Sequence, residues 1–85
     1  MKLTIESEHG FDFFIEAEVH DIPFCVRLHK DDPSNWRIES SSHPYAPSLN
    51  KWVANGKTNY TEALKRALFE IEMEGANIII ARRNQ

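Results

Sequence analysis

The sequence predicts an α+β domain: an antiparallel sheet of four or five strands, in the order β-β-β-β-α-β, with one helix packed on one face. Two observations carry most of this reading. Apolar and polar residues alternate through two consecutive runs that meet at His20-Asp21. Farther on, an apolar stripe of helical spacing runs from Tyr60 to Ile71.

Leu3 to Ser7 alternates weakly and reads as a short first strand, with His9-Gly10 turning out of it. Phe11, Phe13, Ile15, Ala17 and Val19 then alternate with Asp12, Phe14, Glu16, Glu18 and His20, the period of a half-buried strand. Ile22, Phe24, Val26 and Leu28 repeat the pattern against Pro23, Cys25, Arg27 and His29. With His20-Asp21 as the turn, Val19 faces Ile22, Ala17 faces Phe24, Ile15 faces Val26 and Phe13 faces Leu28. Every inward residue then meets another inward one, as register selection demands. On the outer face the same register sets Glu18 by Pro23, Glu16 by Cys25, Phe14 by Arg27 and Asp12 by His29. The last two are favourable cross-strand neighbours, an aromatic with a cation and an acid with a histidine. His-Asp is not the preferred two-residue turn, and a four-residue loop would preserve the same parity.

Asp31-Asp32-Pro33-Ser34-Asn35 is dense in turn residues. Trp36-Arg37-Ile38-Glu39 follows as the third strand of the meander, with Trp36 and Ile38 inward. Ser40 to Asn50 contains Ser-Ser-Ser-His-Pro-Tyr-Ala-Pro, which regular structure does not tolerate; long loops in small domains tend to be functional or disordered. Trp52-Val53-Ala54 resumes an extended run, with Trp52 assigned to the core, and Asn55-Gly56 closes it.

Tyr60, Ala63, Leu64, Ala67, Leu68 and Ile71 define one face of a 59–74 helix. Asn59 with Glu62 makes a capping box, Thr58 being the alternative cap, and Glu62 precedes Arg66 by the four residues that favour an ion pair. Gly75 reads as the helix stop and Ile78-Ile79-Ile80 as a final strand. One helix covers one face, so Phe14, Glu16, Glu18, Cys25, Arg27, His29 and Ile79 are expected on the other.

Eighty-five residues suit one domain, 1–85, and the 41% hydrophobic and 27% charged content is that of a globular chain. A single cysteine excludes an internal disulfide. Met1-Lys2-Leu3-Thr4-Ile5-Glu6 carries no apolar signal region, and no apolar run approaches the roughly 18 residues of a membrane span. The expected location is therefore cytoplasmic, in a bacterium or an infected one. Residues 1–35 hold eight acids (Glu6, Glu8, Asp12, Glu16, Glu18, Asp21, Asp31, Asp32) against three bases (Lys2, Arg27, Lys30), a net −5 within a chain of net −3. Such a field discourages nucleic acid and favours a basic partner surface.

Catalytic chemistry finds little footing. Only Gly10, Gly56 and Gly75 are available, and no phosphate-binding loop, dinucleotide fingerprint, nucleophile elbow or Ser/His/Asp spacing occurs. Glu16 beside Cys25 disfavours a reactive thiolate. Cys25 and His29 share a face but lie about 13 Å apart along a strand, too far for one ion. A site from His29, Asp12 and Asp31 is geometrically possible, and a surface His–Asp pair accounts for the same residues. The chain is read as non-enzymatic, without cofactor or metal.

Binding remains. Phe14, Glu16, Glu18, Arg27, Tyr45, Phe69 and Met73 are the candidate protein-binding residues; Phe69 and Met73 sit one turn apart off the apolar stripe, and Tyr45 lies in the long loop. The expected partner is a host protein or a second copy, met through the open face or an unpaired edge, and a homodimer without separate activity is a further alternative. For nucleic acid, Arg37, Lys51, Lys57, Arg82 and Arg83 with Trp52 supply the basic and aromatic residues that strand binding uses.

Residues 56–81, Gly-Lys-Thr-Asn-Tyr-Thr-Glu-Ala-Leu-Lys followed by helix, Gly75 and Ala-Asn-Ile-Ile-Ile, resemble the turn–helix–strand end of small β-β-β-α bacterial and phage domains, HicB-type antitoxins among them. That resemblance implies an antitoxin-type regulatory domain. The short, acidic, aromatic-rich profile is also similar to that of phage-encoded inhibitors such as anti-CRISPR proteins. It implies a small inhibitor or accessory protein of a mobile element, setting an acidic hairpin against a basic site on a host protein.

Overall fold

Five alternating segments build the sheet and one amphipathic segment builds the helix in the computed structural model, which describes residues 2–7, 12–31, 35–40 and 43–84. The strands are β1 (Lys2–Ser7), β2 (Phe13–Val19), β3 (Ile22–Asp31), β4 (Asn35–Ser40) and β5 (Lys51–Asn55), followed by α1 (Tyr60–Arg83). Strand order in space is β1-β2-β3-β4-β5, every neighbour antiparallel, so the sheet is a plain meander. The α+β class and the single helix on an antiparallel sheet follow the sequence reading. The expected turns at His9-Gly10 and within 32–34, the strand position of Phe11, and Ser41-Ser42 lie outside the described residues.

The β2–β3 register is the one the apolar pattern selects. Val19 pairs with Ile22, Ala17 with Phe24, Ile15 with Val26 and Phe13 with Leu28. His20 and Asp21 form the two-residue turn, with φ of 52° and 64°. Positive φ at both positions matches strand twist in a tight hairpin, here taken up by two non-glycine residues.

The β4–β5 pairing is irregular. Trp36 pairs with Ala54 while Arg37 pairs with Trp52, so Val53 is the extra residue of a bulge. Val53 and Ala54 are consequently both buried although adjacent in sequence. The bulge also turns Trp52 onto the outer face, where it is 51% exposed. Its expected place in the core is thereby corrected.

The larger correction concerns the C-terminal segment. Ile78-Ile79-Ile80 is helix, not a final strand, and α1 extends to Arg83 where a 59–74 helix was expected. Gly75 does not stop it. A Cβ at Gly75 would lie 2.7 Å from Val19 Cγ1 and 3.1 Å from Val19 Cβ, so glycine is what lets the helix close onto the end of β2. The helix ends instead with Arg82 and Arg83 in its last turn, where cations favour the exposed carbonyls, and the Asn84 N–H donates to the Ala81 and Ile80 carbonyls. Its start is as expected: Asn59 Oδ1 accepts from the Glu62 N–H at 2.9 Å, a cap worth about 1 kcal/mol. The Glu62 carboxylate approaches Lys65 Nζ at 3.6 Å rather than Arg66.

The core lies between sheet and helix. Ile15, Phe24, Val26, Leu28 and Ile38 of the strands meet Ala63, Ala67 and Ile71 of α1. Each fully buried large side chain contributes about 1.5–3 kcal/mol. Trp36 is 2% exposed, and its Nε1–H donates to the Thr58 carbonyl at 2.8 Å, tying β4 to the turn before α1. Leu49 enters the core from the irregular connection, held where Ser40 Oγ accepts from its N–H and Ser40 N–H donates to Asn50 Oδ1 at 3.0 Å.

Candidate functional site

Of the seven candidate protein-binding residues, four lie on the sheet, two on the helix and Tyr45 in the connection between β4 and β5. Sheet pairing places Lys2, Glu18 and Pro23 in one row of the outer face and Thr4, Glu16 and Cys25 in the next. Glu6, Phe14, Arg27 and Glu39 form a third row, and His29, Arg37 and Trp52 a fourth. Of the candidates, Phe14 and Glu18 are half-buried there while Glu16 and Arg27 are exposed. The result is a face of mixed charge, its acids gathered toward β1 and β2, set with two aromatic rings.

Pairing within it differs in one respect from the expected neighbours. Asp12 Oδ2 lies 3.3 Å from Arg27 Nη2, and His29 Nε2 lies 3.1 Å from Glu39 Oε1, so the histidine's acid comes from β4 rather than from Asp12. Arg27 stands opposite Phe14, as read from the sequence. Cys25 is buried, and burial first and the Glu16 charge second push its thiol above the ordinary range. That thiol is protonated at neutral pH and a poor nucleophile. Among the described residues, no group of three or more His, Cys, Asp or Glu is placed to hold a metal ion. Among them, too, no helix is long and apolar enough to cross a membrane.

Tyr45 projects from the 43–50 connection, 81% exposed, its ring edge-on to His43 at 6.2 Å. His43 borders an open depression of ≈ 210 Å³ beside Pro23 and Cys25, whose wall includes Lys2, Thr4 and Glu16 of the same sheet face. A second depression, of ≈ 520 Å³, lies at the hairpin end between Lys2, Glu18, His20, Asp21 and Glu72.

Phe69 and Met73 belong to the other layer. Each is two positions from Ile71, about 200° round the helix, so they face away from the sheet rather than along its flank. Because the segment after Gly75 is helical, Ala76 and Ile80 continue their line at spacings of four, three and four. Phe69 is 58% exposed, Met73 44% and Ile80 56%. Ile80 was missed because Ile78-Ile79-Ile80 read as a strand; the helical spacing from Phe69 was the signal that could have found it.

The five candidate nucleic-acid residues are not brought together. Arg37 is on the outer face, Lys51 Nζ is 2.7 Å from Glu70 Oε2 of α1, and Lys57 is in the turn before the helix. Arg82 and Arg83 lie at its far end, about 35 Å of helix away.

No protein-family model matches the chain, and neither a curated protein nor a solved structure matches it.

Proposed function

We propose that this chain is a non-enzymatic protein-binding module whose primary contact surface is the outward face of α1. The observation that carries this is the line of Phe69, Met73, Ala76 and Ile80 opposite the core-facing side of a well-anchored helix. Three large apolar side chains, each about half exposed, add nothing to the core in that position. Burying them in an apolar groove gives the helix-in-groove mode, in which anchors at i, i+4, i+7 and i+11 supply most of the affinity.

The β1–β2 part of the outer face supports a second reading. Glu6, Glu16 and Glu18 around half-buried Phe14 suit a basic protein surface, and charge reversal at Glu16 and Glu18 would weaken such a partner selectively.

The test is a tagged pull-down from host lysate after nuclease treatment, with the wild-type chain beside a Phe69→Ser/Met73→Ser/Ile80→Ser variant and a Glu16→Lys/Glu18→Lys variant. A stoichiometric protein lost only with the serine variant supports the helix surface. Loss only with the lysine variant transfers the function to the outer face. Loss of all material on nuclease treatment overturns both in favour of nucleic acid.

A further inference from the structure

The geometry points to β1 as a self-association edge that pairs antiparallel with β1 of a second copy of this chain, about a two-fold axis at Thr4. Among the described residues the meander leaves β1 and β5 as its two edges. β5 is interrupted by the Val53 bulge, a feature that closes edges to further pairing. β1 runs in unbroken register with β2 over all six of its residues and contains neither bulge nor proline. Its inward apolar side chains are Leu3 and Ile5, opposite Ala17 and Ile15. The helix packs on β2, β3 and β5, and Leu3 is left 41% exposed.

The strand's own sequence selects the occupant. An antiparallel register keeps inner residues against inner ones only when odd positions meet odd and even meet even. Centred on Thr4, Lys2 meets Glu6 of the second copy, Leu3 meets Ile5, and Thr4 meets Thr4, with the first two pairs repeated by symmetry. Opposite charges, apolar pairs and threonine pairs are all stabilising cross-strand neighbours. Centred on Ile5, Thr4 would face Glu6 and Leu3 would face Ser7; centred on Leu3, Lys2 would face Thr4. A two-fold interface requires self-complementarity, and Lys2-Leu3-Thr4-Ile5-Glu6 has it about Thr4 alone. The pairing makes one continuous sheet from two chains and lays the Leu3 and Ile5 pairs between the two helices. A contact of this size belongs to the weak, concentration-dependent class. It leaves the Phe69–Ile80 line of α1 untouched, so its failure would not bear on that surface.

Sedimentation velocity on the full chain from roughly 10 μM to 1 mM tests the association itself. The mass is expected to climb from 9.9 kDa toward twice that value; a monomer throughout overturns the proposal. Thr4→Cys should form a disulfide-linked dimer under mild oxidation, because the paired Cα atoms would be roughly 4.5–5.5 Å apart. Ser7→Cys should not, its two copies being roughly 20 Å apart. Equal cross-linking of both, or of neither, overturns the register. Glu6→Lys should raise the dissociation constant roughly tenfold by facing Lys2 across the axis, and adding Lys2→Glu should restore it. A double variant as weak as the single one counts against the charge pairing.

Discussion

At the β5 edge, a bulge tucks two consecutive residues into the core, Lys51 reaches Glu70 of α1, and the neighbouring Trp36 is tied to the turn that leads into the helix. At the β1 edge, among the described residues, the strand lies flush with β2 and only Ile5 is drawn partly into the core. The difference follows from connectivity. β5 leads into α1 through residues 56–59, and from there the helix packs across β3 and β2, meeting Val19 at Gly75. The helix packs on β5, β3 and β2, and β1 is the edge strand beyond them. The edge farthest from the connection is therefore the one left open.

Truncating a side chain at each edge separates the two most clearly. Trp36→Ala removes a 2% exposed indole and its hydrogen bond to Thr58, and should cost about 3–5 kcal/mol in urea unfolding. Leu3→Ala, measured at concentrations where the chain is monomeric, should cost less than about 1 kcal/mol because that side chain is already 41% exposed. Equal costs would mean that the two edges are not differently anchored.

A smaller effect tests how closely the helix is held. Gly75→Ala gains about 1 kcal/mol of helix propensity but drives a methyl into Val19, so a net loss of about 1–2 kcal/mol is expected. With Val19→Ala also present the same change should become stabilising. Stabilisation in the wild-type background would show that the helix is not packed tightly on the hairpin.

The smallest effect concerns Cys25, which shares a row with Thr4 and Glu16 on the β1 half of the sheet. Its thiol value is raised on folding, chiefly by burial and secondly by Glu16. A group so shifted stabilises the fold while protonated; the contribution is complete below the unfolded thiol's value and is lost as pH rises through the folded one. Wild type should thus lose more stability than Cys25→Ala as pH rises above roughly 8.5. Identical alkaline profiles would remove burial as the cause.

Much of this fold is legible in the residues. The β2–β3 register follows from alternation alone, since any odd slip would turn Ile15, Val26 and Leu28 to solvent. The Asn59 cap and the Tyr60–Ile71 stripe are local features that need no partner to be recognised. Candidate surfaces are less legible: Phe14, Glu16, Glu18 and Arg27 share a face as their spacing demands, yet nothing in their spacing separates that face from the one bearing Phe69 and Met73.

Three features lay beyond local pattern. Gly75 has the same conformational freedom whether it ends a helix or lets one approach a strand, and only the position of Val19 across the interface distinguishes the two. With the segment after Gly75 helical, Ile80 joins Phe69 and Met73. Trp52 depends likewise on the bulge at Val53, an extra residue counted against a partner strand and invisible in β5 alone. The sequence by itself determined the strands that precede the helix, the central register and the helix start, because those rest on periodicity within one segment. The tertiary structure decided where the helix ends, which aromatic faces outward and which edge stays open, because each depends on what a second element places across from the first.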